Sequence, residues 1–115
     1  MSRVIFFGLG DTDEFAHAGM YDYYLDAAQK SDAFIKSLWE YIQSTPQYAN
    51  KTTLIITTDH GRGNATDSRW RHHGQSISES KEMWMAAIGP SISKQGEVKT
   101  AGEAKQGQIA ATIAA

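Results

Sequence analysis

The chain has 115 residues, a formal net charge of -2, four histidines and no cysteine. This length allows one domain at most, and the near-neutral charge provides no basic field to attract nucleic acid. Without cysteine there are no disulfides, thiolate metal sites or cysteine nucleophiles, and no apolar run nears the roughly 18 residues that span a bilayer, so neither nucleic acid nor membrane is an expected partner.

The start, Met1-Ser2-Arg3, leads straight into an apolar run and carries no signal-peptide pattern. Localisation stays open, since the leader of an exported or periplasmic parent would lie upstream. Val4 to Leu9 is short, apolar and β-prone, with Gly8 and Gly10 punctuating its end. That pattern predicts a strand buried on both faces. From about Gly19 to Ser44 the spacing becomes helical. Tyr21, Tyr24, Leu25, Ala28, Ile35, Leu38, Trp39 and Ile42 recur at threes and fours, and the stripe Tyr21, Leu25, Ala28, Ile35, Leu38 and Ile42 is expected to be core. Pro46 disfavours helical geometry at Thr45 and supplies the stop.

Thr52 to Thr58 is nearly continuous in β-branched residues and predicts a second strand. Strand, long helix, strand is a βαβ unit, which implies parallel strands joined by a right-handed crossover. Positions 61–82 are polar and mostly loop, and Glu82 to Ile88 predicts a third strand ended by Gly89-Pro90. Positions 91–104 are polar and irregular. Gln106 to Ala115 begins an alanine- and isoleucine-rich helix without a capping signal. The expected fold is therefore α/β, a parallel βαβ-based sheet with helices on its faces. Both ends look cut, which makes positions 1–115 an expected part of a larger domain.

Parallel strands of such a sheet end on a common edge, where open α/β folds carry their chemistry. Asp13 and His17 follow the first strand at i, i+4 spacing, which suits one helical turn or a tight loop gripping an ion. Asp59 and His60, in Asp59-His60-Gly61, follow the second strand. His72 and His73 come from the loop leading to the third. Five or six carboxylate and imidazole groups exceed what one tetrahedral ion needs and suit two ions about 4 Å apart, as used in phosphoryl transfer. Mixed nitrogen and oxygen donors favour zinc first and manganese second over calcium or magnesium.

Asp13-Glu14-Phe15-Ala16-His17, Thr57-Thr58-Asp59-His60-Gly61 and His73-Gly74 occur in this order, followed by Trp84…Ile88-Gly89-Pro90 and Gln108-Ile109-Ala110-Ala111-Thr112-Ile113-Ala114. Together they resemble the C-terminal portion of the alkaline phosphatase superfamily, which includes phosphodiesterases, cofactor-independent phosphoglycerate mutases, phosphopentomutases and sulfatases. The resemblance implies that Asp13, His17 and His73 hold one ion and that Asp59 and His60 belong to the other. It also implies a Thr or Ser nucleophile and an early aspartate ligand in an N-terminal half, with no counterpart upstream of Val4. Sulfatases usually hold a single calcium ion, so the three histidines are more similar to the two-metal branches. The short gap from His60 to His73 is similar to that of the mutases. Gln108 stands where the family more often has Asp, and Ala111 where it has Pro.

His73 precedes Gly74 and takes the ligand role in this resemblance, leaving His72 to support it or face solvent. Asp11 reads as a turn residue or a partner of a ligand. Arg62, Arg69 and Arg71 could grip a phosphate oxygen bidentately, although a solvated loop charge is the default expectation. Trp70 and Trp84 are expected to pack before they line a pocket.

The expected function is the metal-binding part of a dinuclear phosphoesterase acting on phosphate mono- or diesters, with little turnover alone. A phosphomutase or sulfatase-type member is the alternative, with a phosphate- or sulfate-ester small molecule as substrate. From a different class comes a non-catalytic metal-binding or interaction fragment that self-associates or docks onto a separately encoded N-terminal half.

Overall fold

A computed structural model describes residues 4–99 and 102–115. The Met1-Ser2-Arg3 start and positions 100 and 101 of the polar 91–104 stretch lie outside the described residues. In chain order the elements are α1 (Asp11–His17), α2 (Tyr21–Ser44), β1 (Leu54–Thr57), β2 (Met85–Ile88) and α3 (Gly107–Ala114). Two 3-10 turns, Ser68–Arg71 and Ser78–Lys81, lie between the strands.

Each helix follows from local signals. Asp11, Asp13 and Glu14 occupy the first turn of α1, where the exposed amide groups favour negative charge. The end of α1 is a Schellman motif. Gly19 takes φ +74°, its N–H donates to the Ala16 carbonyl at 2.9 Å, and the Met20 N–H reaches the Phe15 carbonyl at 2.9 Å. The chain thereby reverses into α2, which packs against α1. Thr45, held extended at φ -99° and ψ 111° ahead of Pro46, ends α2 where the sequence predicts.

The inward stripe of α2 differs from the expected one. Ala27 and Ile42 are buried, and Tyr24, Ser31, Ile35, Leu38 and Trp39 are half-buried. Tyr21, Leu25 and Ala28 are exposed instead. Ala16 is fully buried in α1, Ala27 is buried in α2 and the two helices pack together, so the buried face of α2 runs through Ala27 and not Leu25.

The sheet also departs from expectation. Val4–Leu9 forms no strand; it runs without a ladder, and Phe6 is 89% exposed. Strand geometry needs a hydrogen-bonding neighbour, and among the described residues the segment has none, while Phe7 packs edge-on to Phe34 at a centroid distance of 5.4 Å. Among the described residues the only sheet is β1 paired antiparallel with β2, Leu54 opposite Ile88 and Thr57 opposite Met85. A parallel pair requires a crossover, usually a helix. The segment between β1 and β2 holds only the two 3-10 turns, so the chain folds back on itself and the strands run opposite ways. Among the described residues the result is a mixed helix and strand unit with one antiparallel strand pair and no parallel βαβ sheet.

The buried apolar residues among those described are Ala16, Ala27, Ile42 and Ile77. Among the described residues no helix is long and apolar enough to cross a membrane.

Candidate metal centre

The i, i+4 spacing of Asp13 and His17 becomes one face of α1, with the His17 Nε2 3.4 Å from the Asp13 Oδ1. The Arg71 guanidinium donates to the His17 carbonyl at 2.9 Å and so ties the end of α1 to the 3-10 turn Ser68–Arg71. Asp67 caps that turn, one carboxylate oxygen accepting from the Arg69 N–H at 2.7 Å and the other from the Arg69 Nε at 2.9 Å. His72 and His73 leave the turn directly. This short path carries His73 across to α1.

There the His73 Nε2 lies 3.1 Å from the His17 Nε2 and 3.5 Å from the Asp13 Oδ1. Two nitrogens and one oxygen thus form a triangle with edges of 3.1, 3.4 and 3.5 Å. Ligands about 2.0–2.1 Å from a tetrahedral zinc ion are separated by roughly 3.3–3.4 Å, so the triangle has the size of one face of that tetrahedron. The donor set and its spacing fit a divalent ion.

His60 adjoins the triangle. Its ring stacks on that of His73 at a centroid distance of 3.6 Å, and its Nε2 is 3.7 Å from the Asp13 Oδ1. The His60 Nδ1 is 2.9 Å from the Gly61 carbonyl, which can only accept, so Nδ1 is the donor there and Nε2 is the ring nitrogen on the Asp13 side. Asp59 is further out. Its side chain is 85% exposed, its Oδ1 accepts from the His60 backbone N–H at 3.0 Å, and the same oxygen is 3.6 Å from the His60 Nε2. Asp59 and His60 thus stand side by side next to the triangle, and two donors alone do not enclose an ion. His72 is exposed, its ring 6.0 Å from that of His17. Asp11 opens α1 and is exposed.

Burial pushes the His73 imidazole pKa down, and the neighbouring His60, His17 and Arg62 push it the same way, against a smaller opposing pull from Asp59. The neutral imidazole favoured by this environment is the form that binds a metal.

The three arginines have separate partners. Arg62 pairs with Asp13, Arg69 with Asp67, and Arg71 with the His17 carbonyl. Trp70 packs, its ring edge-on to Tyr21 at 5.2 Å and to Tyr24 at 6.1 Å, whereas Trp84 is 57% exposed. Arg62 and Gly61 adjoin the candidate site through contacts that the sequence does not state, Arg62 with the Asp13 carboxylate and the Gly61 carbonyl with the His60 Nδ1. Their signal was adjacency to His60, which marked position but not partner.

A mixed helix and strand unit thus presents a carboxylate and two imidazoles spaced for one divalent ion. The chain matches the family described as Metalloenzyme superfamily over residues 2–114 and belongs to it. That family is part of the alkaline phosphatase superfamily, and membership implies divalent-metal binding and a hydrolase- or mutase-like context. No curated protein and no solved structure matches the chain.

Proposed function

We propose that this chain is the metal-binding part of a dinuclear phosphoesterase acting on phosphate mono- or diesters, with zinc the first expected ion and manganese the second. The observation that carries the reading is the triangle of Asp13, His17 and His73, supported by membership of the Metalloenzyme superfamily. In this reading the triangle holds one ion, and Asp59 and His60 contribute to a second. Two ions supply polarisation of the phosphoryl group and a lowered pKa for the attacking hydroxyl or water.

The residues of this chain bind and orient. His60 keeps its Nε2 aimed inward through the Gly61 carbonyl, and Arg71 fixes the end of α1 that carries His17. No side chain here is assigned as nucleophile, so the 115-residue chain is expected to bind ions with little turnover. A phosphomutase activity would use the same ligands, and a sulfatase-type member is the remaining alternative. In the catalytically complete arrangement, Val4–Leu9 would run parallel to β1 on its free edge.

Calorimetric titration of the chelator-treated chain with zinc and with manganese tests the reading. His17→Ala and His73→Ala are expected to weaken binding by about 10- to 100-fold or more, since each removes one of three donors, while His72→Ala leaves it unchanged. Binding that ignores His17 and His73 would sink the proposal. Hydrolysis of nitrophenyl phosphate by the pure chain, lost in His17→Ala, would contradict the expected inactivity.

The exposed apolar residues of Val4–Leu9 and of β2 favour a second reading, an interaction fragment that self-associates or docks onto a partner half. A stable folded monomer would argue against it.

A further inference from the structure

Arg62 stands between Gly61 and Gly63, and the backbone on both sides is clamped. The Gly61 N–H donates to the Ser80 carbonyl at 2.9 Å, and the Gly63 N–H donates to the His72 carbonyl at 3.2 Å. The Arg62 side chain is 15% exposed, and its Nη2 contacts the Asp13 Oδ1. That oxygen is also the corner of the triangle reached by His17 and His73. The second guanidinium nitrogen, Nη1, donates to the Trp70 carbonyl at 3.4 Å.

We infer that Arg62 is the resident counter-cation of Asp13 and competes with the divalent ion for the same carboxylate oxygen. The inference rests on the proposed metal-binding role of the triangle. An ion held by His17, His73 and the Asp13 Oδ1 would sit next to the guanidinium, and like charges so close repel strongly at a partly buried site. Loading therefore requires Arg62 to release Asp13. The Trp70 carbonyl gives it a partner on release. Arg62 is thus a competing charge that lowers metal affinity.

The test is zinc titration of chelator-treated wild-type, Arg62→Gln and Arg62→Lys chains, with circular dichroism to establish folding. Removing the competing charge is expected to tighten binding about tenfold in Arg62→Gln, with Arg62→Lys between the two. Equal or weaker binding by Arg62→Gln, while the wild type still binds, overturns the inference and leaves the metal reading standing. No binding by either chain overturns the metal reading and this inference with it. If Arg62→Gln does not fold, the guanidinium nitrogen resonances of Arg62 in the wild type decide. A shift that follows zinc saturation upholds the exchange, and unchanged resonances overturn it.

Discussion

At the scale of single residues, a glycine beside the candidate site is as tightly placed as its candidate donors. A Cβ added at Gly61 would lie inside van der Waals distance of the Glu79 carbonyl oxygen and 2.6 Å from that of Glu82. Those are backbone atoms of the 3-10 turn Ser78–Lys81 and its C-cap, and they cannot rotate aside. The Gly61→Ala variant must open this contact and strain the hydrogen bond to the Ser80 carbonyl. The expected loss is about 2–3 kcal/mol, combining overpacking with one weakened hydrogen bond. Urea unfolding measures it, and a loss below about 0.5 kcal/mol, the range of an ordinary surface change, would show that the turn gives way freely. Because His60 hydrogen-bonds the Gly61 carbonyl, the same variant is expected to weaken zinc binding.

At the scale of elements, α1 and its cap decide whether His17 meets His73. Gly19 supplies the left-handed conformation of the Schellman motif, and a Cβ there would come within 2.9 Å of the Arg71 Cζ. Gly19→Ala is expected to cost about 1–2 kcal/mol, the left-handed penalty of a non-glycine residue plus displacement of Arg71. It should also weaken zinc binding, since Arg71 holds the His17 carbonyl. Unchanged stability and affinity in the same titrations would remove both roles from this junction. The Asp13–His17 spacing, the length of α2 and its stop before Pro46 were legible in the sequence because each depends on residues within a few positions. The placement of Arg62 on Asp13 and of Arg71 against Gly19 was not, because both join residues about 50 positions apart. The sheet failed for a similar reason. Thr52 to Thr58 and Glu82 to Ile88 announce strands by composition, and β1 and β2 form inside them, but composition does not name a neighbour. Val4–Leu9 has the residues of a buried strand and no ladder to join.

At the scale of the whole molecule, surface is the dominant fact. The chain exposes 9206 Å², about half as much again as the roughly 6,200 Å² of a compact monomer of this size. Its radius of gyration is 16.1 Å against about 13 Å for a compact domain. Much of the excess is apolar and concentrated. Val4, Ile5, Phe6, Phe7 and Leu9 are each at least 49% exposed, and every residue of β2 is exposed. A stable protein interface buries about 1,600 Å² in total, well within what this surface offers. An apolar segment with unpaired backbone groups is, moreover, a template for strand pairing. The isolated chain is therefore expected to associate at micromolar concentration and to bind a hydrophobic dye such as anilinonaphthalene sulfonate. Ile5→Lys combined with Phe6→Asp should shift it toward monomer, because the two place charges in the most exposed stretch while leaving Asp13, His17 and His73 untouched. Sedimentation velocity distinguishes the outcomes. A monodisperse wild-type monomer with no dye binding would mean that the exposed face is already satisfied in solution, and the interaction reading would fall with it.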